Sequence, residues 1–448
     1  MAGEIAVIGA GLSGNLIAIM LARQGFDVTV YERQAAPGGA RNPAGRSINL
    51  ALAARGIRAL EQADAFSDIE PLLLPMHGRF VHERDRSEKF LPYGQHQDEC
   101  IWSISRLELN DRLIAIAHDR WNVDYRFEHR CVDFGPERSG ATIQSNAGQF
   151  QIAPPLLLAA DGAGSTIRRK LAATGAIRAS EELLDHGYKE LTVPARPDGR
   201  FALAATGLHI WPRGGFMLIA LPNLDGSFTA TLFLPLTGQP GFDAITDATV
   251  GDFFAEQFPD AAPLMPGLAR EYAERPIGEL GSVYCEPWSL NAAGNDGSRT
   301  LLIGDAAHAI VPFHGQGMNA AFEDCAEFAR LAAETGPDWR LVIERFEAAR
   351  RHNANAIAEM ALENYAEMRD TVRNPDFERR ASLSFELERR YPGRFIPRYS
   401  MVMFHPEISY AEAARRGKIQ TSILDRALEA TDTATSIAVA SALVANQL

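Results

Sequence analysis

The stretch from Ile5 to Glu32 limits what this chain can fold into more than any other. Ile5 to Ile8 is a short apolar run of the kind that forms a buried parallel strand. Gly9, Gly11 and Gly14 then fit G-x-G-x-x-G, with Leu12 and Ser13 inside the motif. Leu16 to Ala22 continues as a helix, and Val28 to Tyr31 makes a second strand. Glu32 stands at the carboxyl end of that strand, followed by Arg33. Each glycine has its own physical task. Gly9 permits the tight turn out of the strand, Gly11 lets a pyrophosphate approach the backbone, and Gly14 lets the helix pack close to the strand. The pyrophosphate would rest on unpaired amides at the helix N-terminus, and Glu32 would accept hydrogen bonds from ribose hydroxyls. Strand, helix, strand and acid in register point to a bound dinucleotide, where the glycines alone would indicate only a turn.

A chain of 448 residues suggests two or three lobes rather than one core. Its 46% hydrophobic and 23% charged content is that of a soluble globular protein. The net charge of −13 argues against nucleic acid or an anionic membrane surface as the main partner. Cys100, Cys131, Cys285 and Cys325 form no C-x-x-C pair, so neither a disulfide framework nor a zinc site is expected. No metal ligand set stands out. The N-terminus lacks the pattern of a secretory signal, and the apolar run Ile437–Ala445 is too short to span a bilayer. A cytoplasmic location is the expectation.

Along the chain, residues 37–45 read as a loop, followed by Arg46–Leu50 and a helix over about 53–63. Short strands are expected at 76–83, 89–93 and 101–104, and a helix at 106–117 with Leu107, Leu109 and Leu113 near one face. Leu156 to Ala160 is a third strand of the parallel type. From His186 to Leu234 the pattern becomes alternating segments at 189–193, 208–211, 216–221 and 228–234, separated by glycine-containing turns. Thr300 to Ile303 is again an apolar strand, and the C-terminal third reads as mostly helical. The expected architecture is α/β. A Rossmann-type nucleotide domain is assembled from residues 1–70, 101–180 and 286–335. An antiparallel β-sheet substrate domain is inserted as 71–100 and 181–285, and 336–448 forms a C-terminal helical region.

Two further stretches carry chemistry. Asp161-Gly162 ends a strand, with Arg168 on the following helix. Gly304-Asp305 ends another and leads into Pro312, Phe313, His314, Gly315, Gln316, Gly317, Met318 and Asn319. In this order they resemble the fingerprints of flavin aromatic hydroxylases, which implies FAD as the bound dinucleotide. Asp305, a carboxylate at a strand end, could accept two polyol hydrogen bonds from the ribityl chain. Gly315 and Gly317 would let the amides of Gln316 to Asn319 reach the pyrimidine edge of the flavin and stabilise its reduced anion. His314 is as well read as a loop histidine as an acid or base, and no catalytic residue is assigned beyond the 312–316 loop.

A closer resemblance covers the chain to about residue 402. Gly45–Leu50, His186–Leu191, Leu208–Pro212, Ala220–Asn223, Val311–Asn319, Met360–Tyr365 and Arg394–Val402 are similar to the kynurenine 3-monooxygenase family. The resemblance implies that Arg79, Tyr93, Asn364 and Tyr399 hold an amino-acid carboxylate, and that Arg106 meets an FAD phosphate. An arginine fork suits a carboxylate, and tyrosine hydroxyls add neutral donors. Glu367, one turn after Asn364, could meet the substrate ammonium. Each position has a plainer reading as a solvated charge or a packing aromatic. Ile219, Phe233 and Phe313 are candidate apolar walls. Eukaryotic members carry a C-terminal membrane segment; this chain resembles the bacterial form without one.

The implied reaction is NADPH- and FAD-dependent hydroxylation of L-kynurenine to 3-hydroxykynurenine by dioxygen, through a flavin 4a-hydroperoxide. NADPH would be a transient co-substrate, since no second G-x-G-x-x-G is present. The expected partners are a small-molecule substrate and dioxygen, with a homodimer as the assembly to test for. Three other readings compete. A related hydroxylase would act on a ring-modified kynurenine or another aromatic amino acid. A flavin halogenase would need a W-x-W-x-I-P motif, which is not found. A non-catalytic flavin-binding protein would not need the 312–319 loop.

Overall fold

The computed structural model describes residues 4–39, 49–135, 140–291, 298–368, 375–430 and 432–447. The 37–45 loop and the 46–50 motif therefore lie largely outside the described residues. The chain divides into two compact units. One comprises Met1–Leu73, Ile104–Leu184 and Leu280–Ala358; the other comprises Leu74–Ser103, Asp185–Glu279 and Glu359–Leu448.

The first unit is built on a six-stranded sheet. Its strands run in the order Ser289–Asn291, Arg299–Leu302, Leu156–Ala159, Glu4–Ile8, Asp27–Tyr31 and Asp124–Arg126. All neighbours are parallel except the first pair. Ile5, Val7, Leu156, Leu157, Leu158, Leu301 and Leu302 are fully buried, which is why these strands read as continuous apolar runs rather than alternating ones. The helix Leu12–Arg23 packs on this sheet and buries Leu16, Ile17, Ala18, Ile19 and Leu21. A separate antiparallel sheet of Arg130–Gly135, Gly140–Ser145 and Gly148–Ile152 was not expected. Its outer strand is almost wholly exposed, so it lacks the apolar alternation that would announce it.

The sheet of the second unit sets side by side, in order, Arg178–Val193 (in this unit from Asp185 on), Phe228–Pro235, Met217–Pro222, Leu208–Pro212, Gly78–His82 and Glu88–Pro92. Every pairing given for these strands is antiparallel except Leu208–Pro212 on Gly78–His82, which is parallel. One face buries Trp211, Leu218, Ala220, Phe228, Ala230 and Leu232 against Phe254, Phe258 and Tyr272 of following helices. The first strand begins at Arg178, eleven residues before the expected Lys189. Its early residues are exposed and mostly polar, so hydrophobic pattern could not reveal them. Helices Pro375–Arg390, Tyr410–Leu428 and Thr433–Gln447 share a small core of Leu383, Leu387, Phe395, Ile423, Leu424 and Val444. Leu107 also departs from expectation: it is 48% exposed, whereas Leu109 and Leu113 are buried. The expected apolar walls Phe233 and Phe313 are buried, and Ile219 is half-buried.

Candidate functional site

The first unit carries a nucleotide cradle at the carboxyl ends of its strands. Gly9 has φ +102°, and a Cβ there would sit 2.6 Å from the Ala160 carbonyl oxygen. A Cβ on Gly14 would lie 2.0 Å from the Gly9 carbonyl oxygen, so helix and turn touch through backbone alone. A Cβ on Gly11 would meet nothing within 4 Å, leaving room for a group close to the backbone there. The helix Leu12–Arg23 has no side-chain cap and no acidic residue in its first turn. The amides of Leu12, Ser13 and Gly14 thus lack intrahelical acceptors and suit an anion.

Glu32 faces this turn. One carboxylate oxygen accepts from the Ala10 amide at 2.7 Å, the other from the Gln34 amide at 2.7 Å. Each oxygen keeps lone-pair capacity for a ribose hydroxyl. Asn15 escaped the sequence reading, although it is fully buried and braces the same turn. Its Nδ2 donates to the Ala10 carbonyl at 3.0 Å, and its Oδ1 accepts from the Tyr125 hydroxyl at 2.8 Å. A buried asparagine inside a glycine-motif helix is the signal that could have found it. Arg33 and Arg106 are exposed, Arg106 as the first residue of helix Arg106–Trp121.

Asp161 lies at the end of Leu156–Ala159. Its Oδ2 accepts the Thr166 amide at 2.8 Å, while its buried Oδ1 has no hydrogen-bond partner. Burial raises the Asp161 pKa. An orphaned carboxylate oxygen at this position calls for a donor, and a polar group of a bound dinucleotide is one. Arg168 is buried and spans the two fingerprints: Nη1 donates to the Ala306 carbonyl at 2.9 Å, and Nη2 to Glu181 at 2.6 Å.

Gly304 (φ +61°) turns the chain into the short helix Asp305–His308, with Asp305 half-buried. Pro312–His314 forms a single 3-10 turn, with Phe313 and His314 buried. Gly315 (φ +64°) follows, and the long helix Gly317–Thr335 begins. That helix also lacks a side-chain cap and a first-turn acid, leaving the amides of Gly317, Met318 and Asn319 open. The side chain of Asn319 is engaged within the protein. Its Oδ1 accepts from the Ala53 amide at 2.9 Å, and its Nδ2 donates to the carbonyls of Ala51 and Gly315 at 2.9 and 2.8 Å. Only its backbone is left for a ligand. Behind this helix, Asp324 pairs with His308 and accepts from Arg350 Nε at 2.7 Å. Glu323 joins Arg350 at 2.6 Å to Arg55 at 2.9 Å. The whole cradle fits a flavin dinucleotide: open space beside Gly11, an acid placed for a ribose, an orphaned buried carboxylate oxygen, and two helix N-termini without side-chain caps.

The second unit brings together the substrate residues suggested by resemblance. The Arg79 guanidinium lies 5.5 Å from the Tyr93 ring centroid and 5.1 Å from that of Tyr399. The two tyrosines stack, with centroids 5.3 Å apart and planes 18° from parallel. Arg79 and Tyr93 are buried and Tyr399 is half-buried, and Arg79 Nε has no hydrogen-bond partner. Burial alone would lower the Arg79 pKa, but Tyr399, Tyr93 and Glu367 outweigh it and raise it, so the cation is permanent. Burial raises the pKa of Tyr93, with Tyr399 adding to the effect. Burial raises that of Tyr399 too. Both phenols are therefore neutral donors at ordinary pH. Asn364, on helix Trp339–Ala366, is buried and donates to Met368 Sδ at 3.3 Å. Glu367 is half-buried and acts electrostatically on both Arg79 and Tyr399. Among the described residues no helix is long and apolar enough to cross a membrane.

Comparison with known proteins agrees with this geometry. An NAD(P)-binding Rossmann-like domain model matches residues 7–69, and an FAD binding domain model matches 285–361. The kynurenine 3-monooxygenase of Stenotrophomonas maltophilia (strain K279a) is 44% identical over 94% of this chain and 91% of its own length. That of Xanthomonas axonopodis pv. citri (strain 306) is 44% identical over 95% and 92%. Among solved structures, 2-methyl-3-hydroxypyridine-5-carboxylic acid oxygenase matches with a TM-score of 0.66 at 18% identity, covering 91% of this chain and 98% of its own. The p-nitrophenol 4-monooxygenase of Pseudomonas putida DLL-E4 matches at 0.65 and 16%, covering 87% and 94%. These structures share the fold. With its flavin-type cradle and near full-length relatives, the chain belongs to the kynurenine 3-monooxygenase family and is an FAD-dependent aromatic monooxygenase.

Proposed function

We propose that this enzyme hydroxylates L-kynurenine to 3-hydroxykynurenine with NADPH as reductant. The observation that carries the reading is the buried Arg79, stacked against Tyr93 and Tyr399, with its Nε unpartnered. A buried guanidinium with an unpartnered Nε suits an anion beside it. The carboxylate of an α-amino acid supplies one, and the two phenols add donors to it. Glu367, whose charge already acts on Arg79, is suited to the substrate ammonium.

Bound FAD would supply reductive activation of dioxygen for oxygen transfer to an electron-rich aromatic carbon. Gly9, Gly11, Leu12, Ser13, Gly14 and Glu32 would hold its pyrophosphate and ribose, and Arg33, Arg106, Asp161 and Asp305 its other polar groups. The first-turn amides of Gly317, Met318 and Asn319 would face the flavin ring. The residues of the 312–316 turn would border the reacting oxygen. The protein's own contribution is placement: gripping the amino-acid end fixes which ring carbon is presented, and the ring amino group makes the ortho carbon electron-rich.

The test is steady-state NADPH oxidation by flavin-loaded protein with L-kynurenine and with ring-substituted analogues. Stimulation by L-kynurenine above every analogue supports the proposal. Stronger stimulation by a modified kynurenine moves the substrate to that analogue.

A further inference from the structure

Two histidines of the second unit that the flavin chemistry does not use face each other inside the sheet. The hairpin of Gly78–His82 and Glu88–Pro92 sets Glu88 opposite His82, and the parallel neighbour Leu208–Pro212 sets His209 beside Phe80. His82 and His209 are both buried, and Glu88 Oε2 lies 3.6 Å from His82 Nε2 at the sheet edge, 45% exposed. The His82 ring stacks on Trp211 at 4.2 Å, and that of His209 on Phe80 at 4.9 Å, so neither ring turns freely.

The outer nitrogens decide the tautomers. His82 Nδ1 lies 2.9 Å from Asp260 Oδ2, and His209 Nε2 lies 2.8 Å from the Ala204 carbonyl oxygen. Asp260 also accepts from Trp211 Nε1 at 2.9 Å. The Asp260 oxygen that takes the Trp211 N–H also faces His82 Nδ1 and is the acceptor of both. A carbonyl likewise only accepts. Both outer nitrogens therefore carry hydrogen. In the neutral rings both inner nitrogens, His82 Nε2 and His209 Nδ1, then present lone pairs to each other across 2.8 Å. Two facing lone pairs need a cation between them.

We propose that His82 Nε2, His209 Nδ1 and the Glu88 carboxylate form a site for a single divalent transition-metal ion of the zinc class. The three ligand atoms lie within 4.8 Å of one another. Tetrahedral zinc at about 2.0–2.1 Å from each ligand sets them roughly 3.3 Å apart, so the nitrogens part by about half an ångström and Glu88 swings inward. The outer shell matches a metal site: each ligating imidazole donates its other N–H, one to a carboxylate and one to a backbone carbonyl. The strand that supplies His82 also supplies Arg79, on its opposite face. A bound ion would stiffen the strand that carries the substrate arginine.

The test uses full-length, flavin-loaded protein. It is stripped with chelator, equilibrated with zinc chloride and desalted, and then metal is measured by mass spectrometry and flavin by absorbance. The proposal expects one zinc per chain in the wild type, and its loss in Glu88→Gln and His209→Asn. Asp260→Asn should weaken binding about ten- to hundredfold. Glu88 is at the rim, so Glu88→Gln should keep its flavin and its melting temperature in chelator. Wild-type protein that retains flavin but no more zinc than Glu88→Gln would overturn the proposal, leaving a shared proton as the cation. Equal retention by all variants would also overturn it, by placing the metal elsewhere.

Discussion

At the scale of single residues, Arg79 carries the most consequence. It is buried, permanently charged, and flanked by two aromatic faces, with the Glu367 carboxylate acting on it electrostatically. Arg79→Ala should raise the KM for an amino-acid substrate by about ten- to hundredfold, since a charge-assisted contact is worth roughly 1.5–3 kcal/mol. Flavin content should not change, and steady-state kinetics with a flavin absorbance reading checks both. Arg79→Lys should recover little, because an ammonium cannot present the planar fork. Asp305→Ala is expected to lose flavin; a purified variant that stays yellow at full occupancy would remove Asp305 from the cofactor set. The sequence offered Arg79, Tyr93 and Tyr399 only through resemblance. No periodicity links residues so far apart, and their stacking depends on helix Arg398–Met403 meeting a distant strand pair. Asn15 and Asp324 went unread for a related reason: a polar residue in an apolar helix shows its role only when its partners are known.

At the scale of elements, the glycine motif gives two substitutions with opposite failures. Gly11→Ala meets open space at φ −76°, so the chain should fold but bind flavin poorly. Gly14→Ala drives a methyl to 2.0 Å from a backbone oxygen and should destabilise the fold itself, by more than the 1–3 kcal/mol typical of overpacking. Urea melts of the flavin-free proteins separate the two. The helix Gly317–Thr335 depends on the buried pairing of Asp324 with His308 and Arg350. Burial opposes the Asp324 charge, yet His308 and Arg350 hold its pKa below the ordinary 3.8. A depressed carboxylate stabilises the fold above that ordinary value, and this stability is lost as pH falls through the lower folded value. Asp324→Asn should cost roughly 1.5–3 kcal/mol at neutral pH, because it removes a charge-assisted contact while Arg350 keeps Glu323. It should also flatten the acid limb of the stability curve, which denaturant melts from pH 7 to pH 3 would show. Elements with continuous apolar runs were legible in advance. The strand from Arg178 and the sheet Arg130–Ile152 were not, since their exposed residues carry no pattern.

For the whole molecule, each unit is assembled from three separated stretches of chain. The alternation was visible in outline, because parallel-type strands at 5–8, 156–160 and 300–303 bracket segments with β alternation. The helical stretch 336–448 read as one region, whereas residues up to Ala358 group with the nucleotide unit and the rest with the other. No local signal marks that division, which falls inside the continuous helix Trp339–Ala366. A flavin with affinity only for the folded chain would, at a hundred times its dissociation constant, add about 2.7 kcal/mol to stability. Thermal melts with and without added FAD check this. The central claim is that a flavin held at the glycine cradle serves a substrate gripped by Arg79, Tyr93 and Tyr399. Its most direct test is to incubate the yellow protein with NADPH, dioxygen and L-kynurenine and to identify the product. The account predicts 3-hydroxykynurenine in step with the NADPH consumed; NADPH consumption that L-kynurenine does not stimulate, or a product lacking the ring hydroxyl, would contradict it.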